Sequence, residues 1–392
     1  MLKMVDGTGI IGVDMVCPLG ATVSPPQPPN YDNIEMEGVG SLMLPNSLKA
    51  PLERVELIGN SVQGENPAPD NPQEIKSAGK WNEGTQKYEV DVKVTGKNLL
   101  DIKDITSETP QWLEIPCLIK NNIYIKSNNS TVLVENNQAR LIVCFKDGTS
   151  RAMYDNSMTN GLPFKANSEN PITTIKVRGT HIKSGVYSGI QVEYGNEPTP
   201  YEPYTEQSVQ IALDEPLRGI GEYKDTITKD GVVRKIYPPY EINLNDLRDG
   251  GYSRTNTVMF SVKVQNKTVG YASLKPSILC NILPDCGLQT GNIYNDDKEC
   301  IAVGGGIVLF RVNKSRLKDI SSFEATKQSF IELIADKKMI VEYALETPVT
   351  EPLPEFVQQQ LQALHSENGT THVFVDSGEV EAGIKLTYRK EK

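Results

Sequence analysis

Between Tyr88 and Thr95 the chain alternates strictly. Tyr88, Val90, Val92 and Val94 fall on one face, and Glu89, Asp91, Lys93 and Thr95 on the other. A period of two is the pattern of a half-buried antiparallel strand. Apolar runs at 123–125, 131–134, 139–145, 172–177 and 186–194 follow. The turn-forming pairs Asn121-Asn122, Asn128-Asn129, Asn136-Asn137, Asp147-Gly148 and Asn160-Gly161 separate them. Short strands with no helical period between them predict a β-sandwich over 81–205. A second set, at 232–236, 258–264, 301–303, 307–312 and 339–345, predicts another over 206–350.

Two stretches change period. Phe323, Phe330, Ile331 and Ile334 share a helical face, with Ser321 and Glu324 spaced as a capping box. Leu353, Phe356, Val357, Leu361 and Leu364 mark a second helix, with Pro354 near its start and Gly369 beyond its end. Strands at 371–375 and 384–388 complete a piece, 351–392, too small to hold a core alone. Its apolar seam leaves two readings, packing on the second sandwich or contact with an identical subunit. Gln358, Gln359 and Gln360 beside that seam suit a trimer axis. The predicted fold class is therefore mainly β: two jelly-roll-like β-sandwich domains in tandem, short helices, and a small C-terminal α/β piece.

Ahead of the sandwiches, 51–80 reads as a hairpin and linker: Val55 and Leu57 alternate, then Gly64, Pro67, Pro69, Asn71 and Pro72 make a turn-rich loop. Over 1–50, an arm or attachment segment is expected. Ile10, Ile11, Val13 and Val16 suit a short strand, and Ser24–Asn30 a polyproline spacer, serving as a tether or as an arm that docks by strand addition.

The tract Gly189–Ile227 carries the boundary between the two predicted sandwiches. Val192 and Tyr194 end a strand, and Pro198, Pro200 and Pro203 then fix three φ angles and remove three amide donors. The expectation is a stiff exit from the sheet. Val192-Glu193-Tyr194 with Glu202-Pro203 is echoed by Val341-Glu342-Tyr343 with Glu351-Pro352, which suggests a duplicated design.

The same tract, together with Gly59–Gly79, Val94–Leu100 and Val341–Leu353, resembles phage tail structural proteins of Firmicutes prophages, of the minor structural, baseplate or tail-fibre type. The matching segments run from about Leu52 to the C-terminus; the first fifty residues do not share the pattern. The resemblance implies a virion protein assembled in the bacterial cytoplasm and released by lysis. Its implied partners are other tail subunits and a host-surface glycan, and its sandwiches are of the carbohydrate-binding type.

Composition adds limits rather than chemistry. A net charge of −10 disfavours a sequence-independent nucleic-acid binder. The N-terminal stretch lacks the continuous apolar region of a secretory signal, and no run of about 18 apolar residues predicts a membrane span. The 6 cysteines have no Cys-x-x-Cys spacing. They read as buried reduced thiols, a Cys280–Cys286 or Cys286–Cys300 bridge being the alternative.

No cofactor, metal or catalytic set is predicted. His181, His365 and His372 lack ligand partners in sequence and read as structural or exposed. Gly304-Gly305-Gly306 lacks the Lys-Ser/Thr of a phosphate loop and reads as a hinge or bulge. The acidic run 295–299 lacks calcium-loop spacing and reads as a solvated turn. Sugar binding asks for flat aromatic faces beside amides and carboxylates. Trp112, Tyr124 and Tyr154, near Asn121, Asn122, Asn128, Asn129, Asp155 and Asn156, are the candidates. The expected function is a non-enzymatic tail appendage binding a glycan. The alternatives are a purely structural adaptor between virion subunits and a glycan-degrading tail enzyme.

Overall fold

The computed structural model describes residues 5–6, 9–10, 31–134, 136–251, 253–269, 276–286, 293 and 297–391. The expected Ser24–Asn30 spacer and the strand positions Ile11, Val13 and Val16 lie outside them. The chain is mainly β, with large antiparallel sheets and short helices.

The Lys87–Thr95 strand forms as its alternation predicts, with Val90, Val92 and Val94 buried. Beyond a short local hairpin with Lys80–Asn82, its partners lie far away in sequence. Glu206–Leu213 pairs along one edge from Glu206↔Thr95 to Leu213↔Tyr88, and Gly369–Asp376 along the other from His372↔Thr95 to Asp376↔Asp91. Gly369–Asp376 pairs in turn with Ser41–Ser47, and Gly383–Glu391 with both Tyr31–Val39 and Arg54–Ile58. Thr226–Thr228, Gly231–Glu241, Ile340–Glu351 and Ile278–Cys280 extend the same twelve-stranded sheet. Leu44, Leu57, Val92, Ile211, Val373 and Ile384 form one core beneath it.

This core draws on segments that the sequence distributes over five units. The C-terminal piece packs on its own chain: Val357, Leu361 and Leu364 of the helix Glu355–Ala363 and its preceding Leu353 join that core. The seam read as suited to a trimer axis is thus covered from within, with Phe356 left exposed.

Between Thr95 and Glu206, which face each other across the ladder, the chain makes a large excursion. Leu113–Ile119, Ile172–Val177, Ala139–Phe145 and Ser150–Tyr154 form a four-stranded sheet. Leu162–Phe164, Ile123–Ser130 and Tyr187–Tyr194 form a three-stranded one. Both contribute to a separate cluster containing Ile123, Leu141, Val143, Ile175 and Val192. A second excursion leaves Gly231–Glu241 and returns through its partner Ile340–Glu351. Its cluster takes in Phe260, Phe310 and Phe330. Here the helix Phe323–Leu333 is capped by Ser322, whose hydroxyl accepts from the Ala325 amide, one position later than the Ser321 box expects.

The proline tract does not hold one sheet off another. The Glu193 carboxylate accepts from the Thr199 amide at 2.9 Å, and the Gln191 side-chain amide oxygen accepts from the Glu202 backbone amide at 2.7 Å. These bonds strap 199–202 back along Tyr187–Tyr194. Gly189 sits at φ +59° with the Tyr201 ring against it, where a Cβ would lie 3.2 Å from the ring. The tract therefore delivers the chain to Glu206, opposite Thr95.

The echo has a structural counterpart in its strands and not in its exits. Val192 and Tyr194 pair with Ile125 and Ile123, as Val341 and Tyr343 pair with Cys280 and Ile278. The second copy continues as strand through Pro348 to Glu351, with a register shift where a proline is tolerated.

Three other expectations change. Cys286 and Cys300 are disulfide-bonded rather than reduced thiols. Gly305 and Gly306, at φ +57° and +79°, form the two-residue turn joining Cys300–Gly304 to Ile307–Asn313, not a hinge. In the acidic run, Asp297 accepts from the Asn256 amide and the Thr257 hydroxyl, and Glu299 pairs with Arg316, so these carboxylates act as internal caps. Residues 295 and 296 lie outside the described residues.

A buried ionic network anchors the second excursion to the core. The fully buried Asp225 accepts from the amides of Arg218, Lys235 and Ile236 and from the Arg234 guanidinium. Arg234 also donates to the Pro216 carbonyl, and Arg218 to the buried Glu342, whose carboxyl pKa burial pushes up. Removing one partner of such a network strands the others in low dielectric. Asp225→Ala is expected to lower stability by about 3–5 kcal/mol in denaturant unfolding. A loss below about 1 kcal/mol would show that the network is not integral to the fold.

Candidate functional site: a cleft between the core sheet and the first excursion

Alternation along Gly369–Asp376 sends Val373 and Val375 into the core and His372 and Phe374 to the opposite face. On that face the pairing aligns Met43, His372 and Thr95 in one row and Ser41, Phe374 and Lys93 in the next. The first excursion lies over these rows. Phe374 packs against its cluster, and the Tyr194 and His372 rings meet edge to face with centroids 5.0 Å apart.

Two adjoining pockets of 480 and 560 Å³ open along this junction and share Ser41, Asn121, Tyr194 and Phe374. Each has the size of a small-molecule site. The first continues past Cys117, Leu118 and Lys120 to Asp376 and Glu381, and the second past Asn122, Asn196 and His372.

His372 is 3% exposed, and its ring makes no hydrogen bond among the described residues. Burial lowers its pKa from 6.5 to about 4, so the imidazole is neutral at neutral pH and offers one donor and one acceptor. The hydroxyl of Thr95, its partner across the ladder, is also buried without a hydrogen bond among the described residues. Burial raises the Tyr194 phenol and the Cys117 thiol to about 12 each, which keeps both protonated. The Tyr194 hydroxyl and the Asn121 amide likewise have no hydrogen-bond partner among the described residues.

The charged groups lining the cleft are all matched. Lys93 pairs with Glu206 at 3.3 Å and Asp376 with Lys80 at 2.9 Å, while Lys120 of the excursion pairs with Glu381 of the C-terminal segment. The cleft thus combines aromatic surface, neutral hydrogen-bonding groups and no uncompensated charge. Among the described residues no group of three or more His, Cys, Asp or Glu residues could hold a metal ion.

The aromatic residues nominated from sequence do not converge. Tyr124 is buried, its hydroxyl donating to the Asn160 carbonyl at 2.7 Å and its ring lying against Gly161. It offers no free face, so it is withdrawn as a sugar platform. The Trp112 ring is covered by the Arg178 guanidinium, 4.5 Å from its centroid. Tyr154 is exposed and sits at the opposite edge of the four-stranded sheet, three strand spacings or about 14 Å from the Trp112 side.

His372, Phe374 and Tyr194 were missed as site residues. The available signal was a histidine and a phenylalanine on the polar face of an otherwise regular strand. Compared with known proteins, the chain matches no family model, no curated protein and no solved structure.

The depressed histidine pKa makes a stability prediction. Unfolded, His372 takes up its proton near pH 6.5; folded, only near pH 4. The unfolded state therefore binds more protons in that window, and stability falls as pH drops through it, by about 3 kcal/mol once both forms are protonated. Denaturant midpoints at pH 7 and pH 4 for the wild type and His372→Gln isolate this share from carboxylate titration. The variant is expected to lose less on acidification; equal losses would contradict the burial argument.

Proposed function

We propose that this chain is a phage or prophage tail appendage protein, of the baseplate or fibre type, that works by binding rather than by catalysis. In this reading the two excursions are sandwich modules of related, jelly-roll-like design, displayed from a sheet that unites distant parts of the chain. The protein is assembled in the bacterial cytoplasm, contacts neighbouring tail subunits in a homo-oligomer, and leaves the cell by lysis. The observation that carries the binding role is the cleft: aromatic faces beside unpartnered neutral donors and acceptors suit a host-surface saccharide. The resemblance of Gly59–Gly79, Val94–Leu100, Gly189–Ile227 and Val341–Leu353 to prophage tail proteins supports the place of action.

The test is direct. Purified particles from an induced lysate, probed with antibody to this chain, are expected to contain it in tail fractions, and the isolated chain is expected to bind host cell-wall saccharide. Absence from particles would refute the virion assignment. Presence in particles without saccharide binding would favour a purely structural adaptor.

A further inference from the structure

Resting on the saccharide-binding reading, we infer that the cleft takes an uncharged, polyhydroxylated ring, held between Tyr194 and Phe374 with His372 as its buried hydrogen-bond partner. Three observations, independent of the resemblance, lead there.

The first is the unmet polar capacity of His372. Beside it the Thr95 hydroxyl, its partner across the ladder, is buried with no hydrogen-bond partner among the described residues, a costly state in low dielectric. His372 lines the cleft without a hydrogen bond among the described residues, and its neutral ring can donate from one nitrogen and accept at the other. A hydroxyl group, itself both donor and acceptor, matches either nitrogen.

Charge provides the second. Each ionised group lining the cleft faces an opposite charge, as Lys93, Lys120, Asp376 and Glu381 show. An anionic or cationic ligand would meet no unpaired counter-charge along the cleft and could gain one only by competing with these part-exposed pairs. An uncharged ligand meets no such cost.

Shape is the third. Tyr194 and Phe374 line both adjoining pockets, and the Tyr194 hydroxyl and Asn121 amide have no partner among the described residues at the same junction. C–H faces pack on aromatic rings while hydroxyls at the rim reach amides and phenols. The arrangement fits a pyranose better than an extended peptide, which would need a free strand edge or a row of backbone partners.

Because the ligand bridges the core sheet and the excursion, both must contribute to affinity. An array of neutral oligosaccharides and their uronate- and phosphate-bearing counterparts, read at pH 7 with the full chain, tests this. The expected result is selective binding of neutral members, weakened at least tenfold by His372→Gln and by Asn121→Ala, with Tyr154→Ala unchanged. Asn121 is exposed, so its variant keeps the test valid if the His372 variant folds poorly. Binding that survives both cleft variants, or that needs Tyr154, would overturn this inference while leaving the saccharide-binding reading intact. Selective binding of the charged members would also overturn it. No binding to array or host wall saccharide would remove both.

Discussion

The pairing of Lys87–Thr95 on both edges is the constraint on which the rest of the molecule depends. With Glu206–Leu213 on one side and Gly369–Asp376 on the other, this strand joins chain segments far apart in sequence. A one-residue slip would turn Val90, Val92 and Val94 out of the core and put Asp91 and Lys93 into it, so burial enforces the register. Loop closure grows only slowly costlier with length, which lets two long excursions hang from paired strands without dissolving the sheet beneath. Both excursions are held at two ends, so what they carry is kept in fixed relation to the core.

The cleft follows from that constraint. The residues that face away from the core on Gly369–Asp376 are His372 and Phe374, and the excursion closing at Tyr194 is returned across them by a tract bonded back on its own strand. The prolines at 198, 200 and 203 thus shape a return path, in which the absence of amide donors is tolerated because neighbouring amides at Thr199 and Glu202 find side-chain acceptors. Aromatic and neutral polar groups from two chain regions meet there, while the charged residues at the margin satisfy one another.

Local elements were legible because local rules govern them. The alternation at Tyr88–Thr95, the runs at 139–145 and 172–177, and the helical spacing from Leu353 to Leu364 appear as strands and helix close to their expected limits. Tyr31–Val39 escaped notice because Asp32 and Gly38 occupy the face carrying Ile34 and Met36, which blurs the alternation. The partition was less legible, since nothing in the Lys87–Thr95 residues records that their two long partners lie beyond residue 200. Trp112 and Tyr154 looked like platforms because aromatic residues near asparagines are a sequence-visible feature. The His372–Tyr194 contact depends on long-range pairing and leaves no such local trace.

The register of the central strand can be measured in the intact chain. Asp91→Cys with Gln210→Cys, and Asp91→Cys with Asp376→Cys, place thiols at positions paired across the two edges of Lys87–Thr95. After mild oxidation and proteolysis, mass spectrometry is expected to recover the 91–210 and 91–376 linked peptides from the respective folded variants. Coupling of the thiol at position 91 only to residues within 97–204, or to neither introduced cysteine, would contradict a sheet built from distant segments and the cleft that rests on it.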